Sequence, residues 1–216
     1  MSWQLDRILT SFGDFVELNK ITLYPGKCLE ELEQFDKDWK KFNPDKPEIL
    51  RDGLSVTSLD GELSGWPDLH SLKDVWNKTG ESYTELDFNK LTDVYHKSSQ
   101  VQKVINPWKE WLARCHFLRL PQGGHFPAHL DGGRAGEPDV FRIIVPIKNC
   151  NAPDFFMLLR SGVNWELCNF QHGKSYYVNT TKRHVLFNAS DTDTIMLILN
   201  IKLCDESVNK VRYEVY

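Results

Sequence analysis

No C-x-x-C pair occurs in the chain, and its five cysteines (Cys28, Cys115, Cys150, Cys168 and Cys204) are odd in number and scattered. That pattern argues against a disulfide framework and leads us to expect free thiols in a reducing, cytoplasmic setting. Long apolar runs are also missing, so no stretch reads as a membrane span. The opening "MSWQLDRILTSFGDF" lacks the basic start and apolar core of a signal peptide. Nor is there an excess of positive charge. Lys and Arg number 26 against 30 Asp and Glu, a net charge of -4, so neither a nucleic acid nor an anionic membrane is expected as a partner. We find no internal repeat and no low-complexity tract.

What is present is the composition of a folded protein. The 216 residues are 12% aromatic and include seven Trp, ample for a sizeable core. The character changes near residue 106. Before it, "CLEELEQFDKDWKKF" places Leu29, Leu32, Phe35 and Trp39 at the steps of an amphipathic helix. "NPDKPEILRDGLSVTSLDGELSGWPDL" reads as a long ordered loop with at most one short strand, "LSVTSL". "SLKDVWNKTG" and "INPWKEWLARC" read as short helices. From Cys115 the rhythm is that of strands: "CHFLRLP", "HFPAHLD", "FRIIVPI", "DFFMLLR", "WELCNF", "KSYYVNT", "HVLFNA" and "TIMLILNIKL". Segments at this spacing suggest a mainly β fold with flanking helices, a jelly roll able to hold a small ligand. We therefore expect a single domain over 1–216. Its parts are a helical and loop region (1–114) packed on a β-sandwich core (115–205), and a C-terminal tail (206–216).

The stretch "HFPAHLDGGRAGEPDVFRIIVPI" is where this pattern breaks. His129, Asp131 and Arg142 bring charge and hydration into a β-rich segment, which is costly to bury without partners. Alternate residues of a strand share a face, so His129 and Asp131 point the same way. His-x-Asp followed by a distant histidine is the donor set of a two-histidine, one-carboxylate face on non-haem Fe(II), with open positions for a cosubstrate and dioxygen. His184, opening "HVLFNA", is the candidate for the third donor. His-x-Asp alone also fits a surface turn, as "DGG" hints. His125 shares the strand parity and is a rival donor, expected instead to line the mouth. His70, His96, His116 and His172 have no partner at metal-ligand spacing and read as surface or ordinary core histidines.

Through "HFPAHLDGG", "FRIIVPIKNC" and "QHGKSYYVNTTKRHVLFNAS", roughly residues 115–201, the sequence resembles the Fe(II)/2-oxoglutarate-dependent oxygenases. More narrowly it looks like their aspartyl/asparaginyl β-hydroxylase and proline-hydroxylase-like branch, including relatives carried by bacteriophages. The "GLSVTSLDG" loop is similar to phage members of that group. The resemblance implies a double-stranded β-helix, cupin-like in form, holding Fe(II) on His129, Asp131 and His184. It also implies that Arg142 reaches a carboxylate of 2-oxoglutarate, for which a guanidinium fork is suited.

Two positions depart from the family pattern. Thr194 stands where the family usually places a second cation, on the last strand, and Ile144 stands where its aspartyl/asparaginyl branch often has histidine. Arg119, on the strand before His129, is the expected compensation, so that Arg119 and Arg142 jointly hold the cosubstrate. Arg160 and Arg183 are weaker rivals.

Ser55, Thr57, Asp60 and Arg134 are candidates for the barrel mouth, where polar loops suit a free amino acid or a peptide or protein side chain. The expected reaction is hydroxylation of an amino-acid residue or free amino acid, with O2 consumed and 2-oxoglutarate converted to succinate and CO2. Two other readings stay open. One is a non-catalytic jelly-roll module that binds a metal or small acid; the other is a metal-dependent isomerase or hydrolase on a cupin-type barrel. Oligomeric state leaves no mark on the sequence.

Overall fold

The computed structural model describes residues 2–131 and 139–216. Its first elements are α1 (Ser2–Ser11), β1 (Phe15–Thr22), α2 (Pro25–Leu32), β2 (Lys40–Lys41), β3 (Asp52–Ser55) and β4 (Thr57–Ser58). Then come α3 (Leu72–Thr79), β5 (Lys90–Leu91), α4 (Asp93–Lys97) and α5 (Ser99–Ile105). The second half holds β6 (Leu112–Leu120), β7 (His125–His129), β8 (Val140–Lys148), β9 (Phe155–Ser161) and β10 (Asn164–Leu167). It closes with β11 (Lys174–Val178), β12 (His184–Asn188), β13 (Thr194–Lys202) and α6 (Asp205–Val215).

Strands β6 to β13 correspond one for one to the eight segments of the sequence. They divide between a seven-stranded sheet, ordered β1-β11-β8-β13-β6-β3-β2, and a four-stranded sheet, ordered β10-β9-β12-β7. Strands β6, β8, β11 and β13 lie in the larger sheet and β7, β9, β10 and β12 in the smaller. That distribution is a double-stranded β-helix, a jelly roll with helices on one flank.

The larger sheet is buried on both faces, which explains its nearly continuous apolar strands. On β8, Phe141, Ile143 and Val145 turn outward to Leu9, Val104, Trp108 and other residues of the helical layer. Ile144, one position over, turns inward with Leu118, Met196, Met157 and Leu186, filling the space between the sheets. Each such side chain contributes roughly 1.5–3 kcal/mol on burial.

The first half departs from the expectation of helices and loops with at most one short strand, for it holds β1 to β5. "FVELNKIT" forms β1 and pairs with β11, Phe15 facing Val178. The helix expected through Phe42 ends at Leu32 and runs into a 3-10 turn, Glu33–Phe35. Lys40 and Lys41 instead pair with Gly53 and Asp52, so sheet pairing overrides the helical period there. "NPWKEW", Asn106–Trp111, is a 3-10 helix whose Trp108 is fully buried beside Phe141, and β6 begins directly after it. The short helix after Ser71 forms as expected and ends on left-handed Gly80, whose N–H reaches Trp76 O. The segment expected as a tail is helix α6, packed on β1 and α1. Among the described residues no helix is long and apolar enough to cross a membrane, and all five cysteines are free.

Candidate metal centre

Register across the smaller sheet builds the site. β12 pairs with β7 so that His184 stands opposite His129, their ring centroids 4.2 Å apart. Asp131 lies just past the end of β7, held by its N–H to Thr180 O at 2.9 Å. One donor atom from each of His129, Asp131 and His184 falls within 4.8 Å of the other two. His129 Nε2 is 3.5 Å from Asp131 Oδ1, and His184 Nε2 is 3.7 Å from Asp131 Oδ2. Ligand atoms sharing one ion at bonds of about 2.1 Å lie roughly 3–3.4 Å apart, so small adjustments suffice.

The backbone sets the tautomers. His129 Nδ1 lies 2.7 Å from Pro127 O and His184 Nδ1 3.0 Å from Lys182 O. Each Nδ1–H donates to a carbonyl two residues back, leaving each Nε2 lone pair facing Asp131. Burial pushes the His184 imidazole down to about 4, against the pull of Asp131. Burial would raise the Asp131 carboxyl, but the Arg142 guanidinium, followed by the two imidazoles, holds it below the usual carboxylate range. Two imidazole nitrogens and an ionised carboxylate are the donor set that first-row divalent metals accept.

A chain of polar contacts leads away from Asp131. Arg142 donates through Nη1 to Asp131 Oδ2 and through Nε to Asn200 Oδ1, the latter at 3.1 Å. Asn200 Nδ2 donates to Glu85 Oε2 at 3.0 Å, and Glu85 accepts a two-armed contact from Arg114 at 2.9 and 2.5 Å. Arg114 also donates to the carbonyls of Asp68 and His70. These groups line a cavity of ≈ 900 Å³ shared with His129, Arg51, His116 and Phe126.

Arg119 does not reach this cavity. Leu118 and Leu120 occupy the inner face of β6, so Arg119 turns outward, where it pairs with Asp52 at 3.0 Å and lies over the Trp39 ring at 4.4 Å. Thr194 is buried at the far end of β13, its hydroxyl donating to Asn149 O at 2.8 Å. At about 3.3 Å per residue it lies roughly 20 Å along the strand from Asn200. Arg160 and Arg183 are exposed. His125 does not join the donor group; its Nδ1 contacts Gly123 O.

The loop candidates also serve structure. Thr57 Oγ1 donates to Ala113 O and accepts the Cys115 N–H, while Asp60 closes its own turn by accepting from Ser58 and Glu62. Ser55 is buried on β3. Arg134 lies outside the described residues.

Sequence reading passed over Arg51, Glu85, Arg114 and Asn200, and took His116 for an ordinary histidine. Asn200 carried a usable signal, a lone amide inside "TIMLILNIKL", the same kind of break that singles out Arg142.

Among solved structures, the chain is similar in fold to a Pseudomonas putida prolyl-4-hydroxylase. The TM-score is 0.50 at 12% identity, over 93% of this chain and 99% of that one. A 2OG-Fe(II) oxygenase family oxidoreductase from Burkholderia pseudomallei matches at 15% identity and TM-score 0.41, covering 71% of this chain and 67% of its own. A cupin domain from Bordetella pertussis matches at 21% identity and TM-score 0.32, covering 41% of this chain and 80% of its own. At these identities the likeness is one of fold. No protein-family model matches the chain, and no curated protein does.

Proposed function

We propose that the protein is an Fe(II)- and 2-oxoglutarate-dependent dioxygenase of the branch that hydroxylates an amino-acid residue or a free amino acid. The observation that carries this reading is the convergence of two backbone-oriented imidazole Nε2 atoms and one carboxylate on the wall of a polar cavity. His129, Asp131 and His184 would hold the metal. The chemistry that an Fe(II)/2-oxoglutarate pair supplies when bound is hydroxylation of a C–H bond by dioxygen, with 2-oxoglutarate converted to succinate and CO2.

The chain's own residues prepare for that chemistry. Arg142 keeps Asp131 ionised and aimed at the two histidines, and Asn200 and Glu85 in turn fix Arg142. Phe126, stacked on the His129 ring at 5.7 Å, keeps that imidazole from swinging away and excludes water from its face. Arg142 Nη2 makes no hydrogen bond among the described residues, which leaves a donor for a carboxylate of the bound acid. With its cysteines free, the enzyme suits the cytoplasm.

Among the described residues β13 gives the cavity only Ile198 and Asn200, neither of them a cation, and this is the observation that favours the alternative of a non-catalytic binding module. Turnover separates the two. Supplied with Fe(II), ascorbate, O2 and 2-oxoglutarate, the protein should release succinate slowly even without a prime substrate, and His184→Ala should abolish it. Tight metal binding with no succinate at all would favour the binding module or a cupin-type isomerase or hydrolase.

A further inference from the structure

Arg51 is a buried cation with no carboxylate at ion-pair distance among the described residues. It comes from the first half of the chain, where it lies just before β3 on the inner face of the larger sheet, and it is only 2% exposed. Its one side-chain hydrogen bond among the described residues runs from Nε to Phe42 O at 3.3 Å, and it forms no ion pair among them. The other cavity arginines are matched, Arg114 by Glu85 and Arg142 by Asp131, while Lys46 and Lys73 at the rim are exposed. Burial of a charge is strongly unfavourable unless a partner compensates it. The desolvated guanidinium, lowered to about 10 by burial against the weaker pull of Glu48, stays charged at neutral pH; Glu48 is exposed, and no carboxylate among the described residues comes within ion-pair distance.

Geometry says where that anion would sit. The guanidinium carbon lies 3.9 Å from the centroid of the Phe126 ring and 5.5 Å from that of Phe42. With a face covered by an aromatic ring, its edge is left to bind, and the two Nη donors on that edge form the fork that matches a carboxylate. Phe126 in turn stacks on His129, so a single phenyl ring separates the fork from the metal-site histidine within one cavity.

His116 adds a second polar group to the same wall. It is 4% exposed, packs on Phe42 at 5.0 Å and leaves Nδ1 buried without a partner. Burial, with Arg114 and Arg142 nearby, keeps its imidazole neutral, so it has an N–H to offer an anion. Thr194, by contrast, is tied to Asn149 and supplies no charge.

We propose that Arg51, assisted by His116, anchors the far carboxylate of a short 2-oxo dicarboxylic acid whose other end binds at the His129–Asp131–His184 site. This inference rests on reading that site as a metal centre. It assigns the selection of dicarboxylic over monocarboxylic 2-oxo acids to a residue outside the eight core strands. It also makes Arg51, rather than Arg119, the partner of Arg142.

The test is calorimetric and needs no turnover. The full-length protein, loaded with Mn(II) under nitrogen, is titrated with 2-oxoglutarate and with 2-oxopentanoate, which has the same chain but no far carboxylate. The wild type should bind 2-oxoglutarate at least tenfold more tightly. Arg51→Met should erase that preference, leaving Mn(II) and 2-oxopentanoate affinities as in the wild type. Should Arg51→Met fail to fold, Arg51→Lys carries the same comparison, keeping the charge without the fork, and should lose most of the preference. Unchanged discrimination in the variant, with Mn(II) bound, would overturn the anchor and leave the metal centre standing. Failure of the wild type to bind Mn(II) would overturn both.

Discussion

Arg142 and Asp131 face each other across the cavity mouth as an ion pair, one from the larger sheet and one from beyond the edge of the smaller. The two sheets are thereby joined at the point where the histidines converge. The arginine is itself held by Asn200, its cross-strand neighbour on β13. A residue that orients a metal-binding carboxylate typically governs 10–100-fold in metal affinity.

Arg142→Met should therefore weaken Mn(II) binding by about 10–100-fold, with little change in the far-ultraviolet circular dichroism. Calorimetric titration of Mn(II) into wild type and variant measures it. Equal affinities would mean that Asp131 is positioned without Arg142.

Arg119→Ala should leave the affinity for 2-oxoglutarate unchanged. Its ion pair with Asp52 is partly exposed, with Arg119 at 26%, and is worth about 0–1 kcal/mol. The contact with Trp39 adds about 0.5–1 kcal/mol. A denaturant titration should show a loss of that order, and a large drop in cosubstrate affinity would contradict the outward placement.

The contrast between these two arginines shows what the sequence makes legible. Strands β6 to β13 announce themselves by apolar segments between turn residues, and His-x-Asp plus a histidine opening a later strand is a pattern of spacing alone. Which way a residue points in a sheet buried on both faces is another matter. The alternation of Leu118, Arg119 and Leu120 does not say which face is the cavity side, because apolar residues on β6 are needed inside and outside alike. Arg51 is harder still. It lies in a Pro- and Asp-rich stretch without period, and only the pairing of β3 with β6 brings it inside. The helix expected through Phe42 failed for a similar reason, since Lys40 and Lys41 are claimed by β3.

Gly124, just before β7, has no room for a side chain. A Cβ there would lie 2.5 Å from Leu50 O and 2.8 Å from Pro121 O, both backbone atoms that no rotamer change can move. Gly124→Ala should cost about 1–3 kcal/mol, read from the shift in denaturation midpoint. It should also weaken Mn(II) binding by displacing β7. A variant as stable as the wild type would mean that the β6–β7 turn gives way freely.

Asp68 supplies a pH dependence. Burial, reinforced by nearby Asp60, raises its carboxyl to about 6, despite the N–H of Leu59. Its unfolded value is about 3.9, so between the two the folded state binds more protons. Stability from this group is complete below pH ~3.9, falls as pH rises towards ~6, and is level above. Asp68→Asn removes the fall. The difference in melting temperature, variant minus wild type, should grow from pH 4 to about pH 6.5 and then stay constant. A difference independent of pH would show that Asp68 titrates normally.

The most direct measurement is an anaerobic titration of 2-oxoglutarate into the Fe(II)-loaded protein, following the visible metal-to-ligand charge-transfer band, with His129→Ala alongside. A saturable band in the wild type, absent from the variant, is the expected result. Iron bound to the wild type with no band at saturating 2-oxoglutarate would contradict the account of the cavity as a 2-oxo acid site.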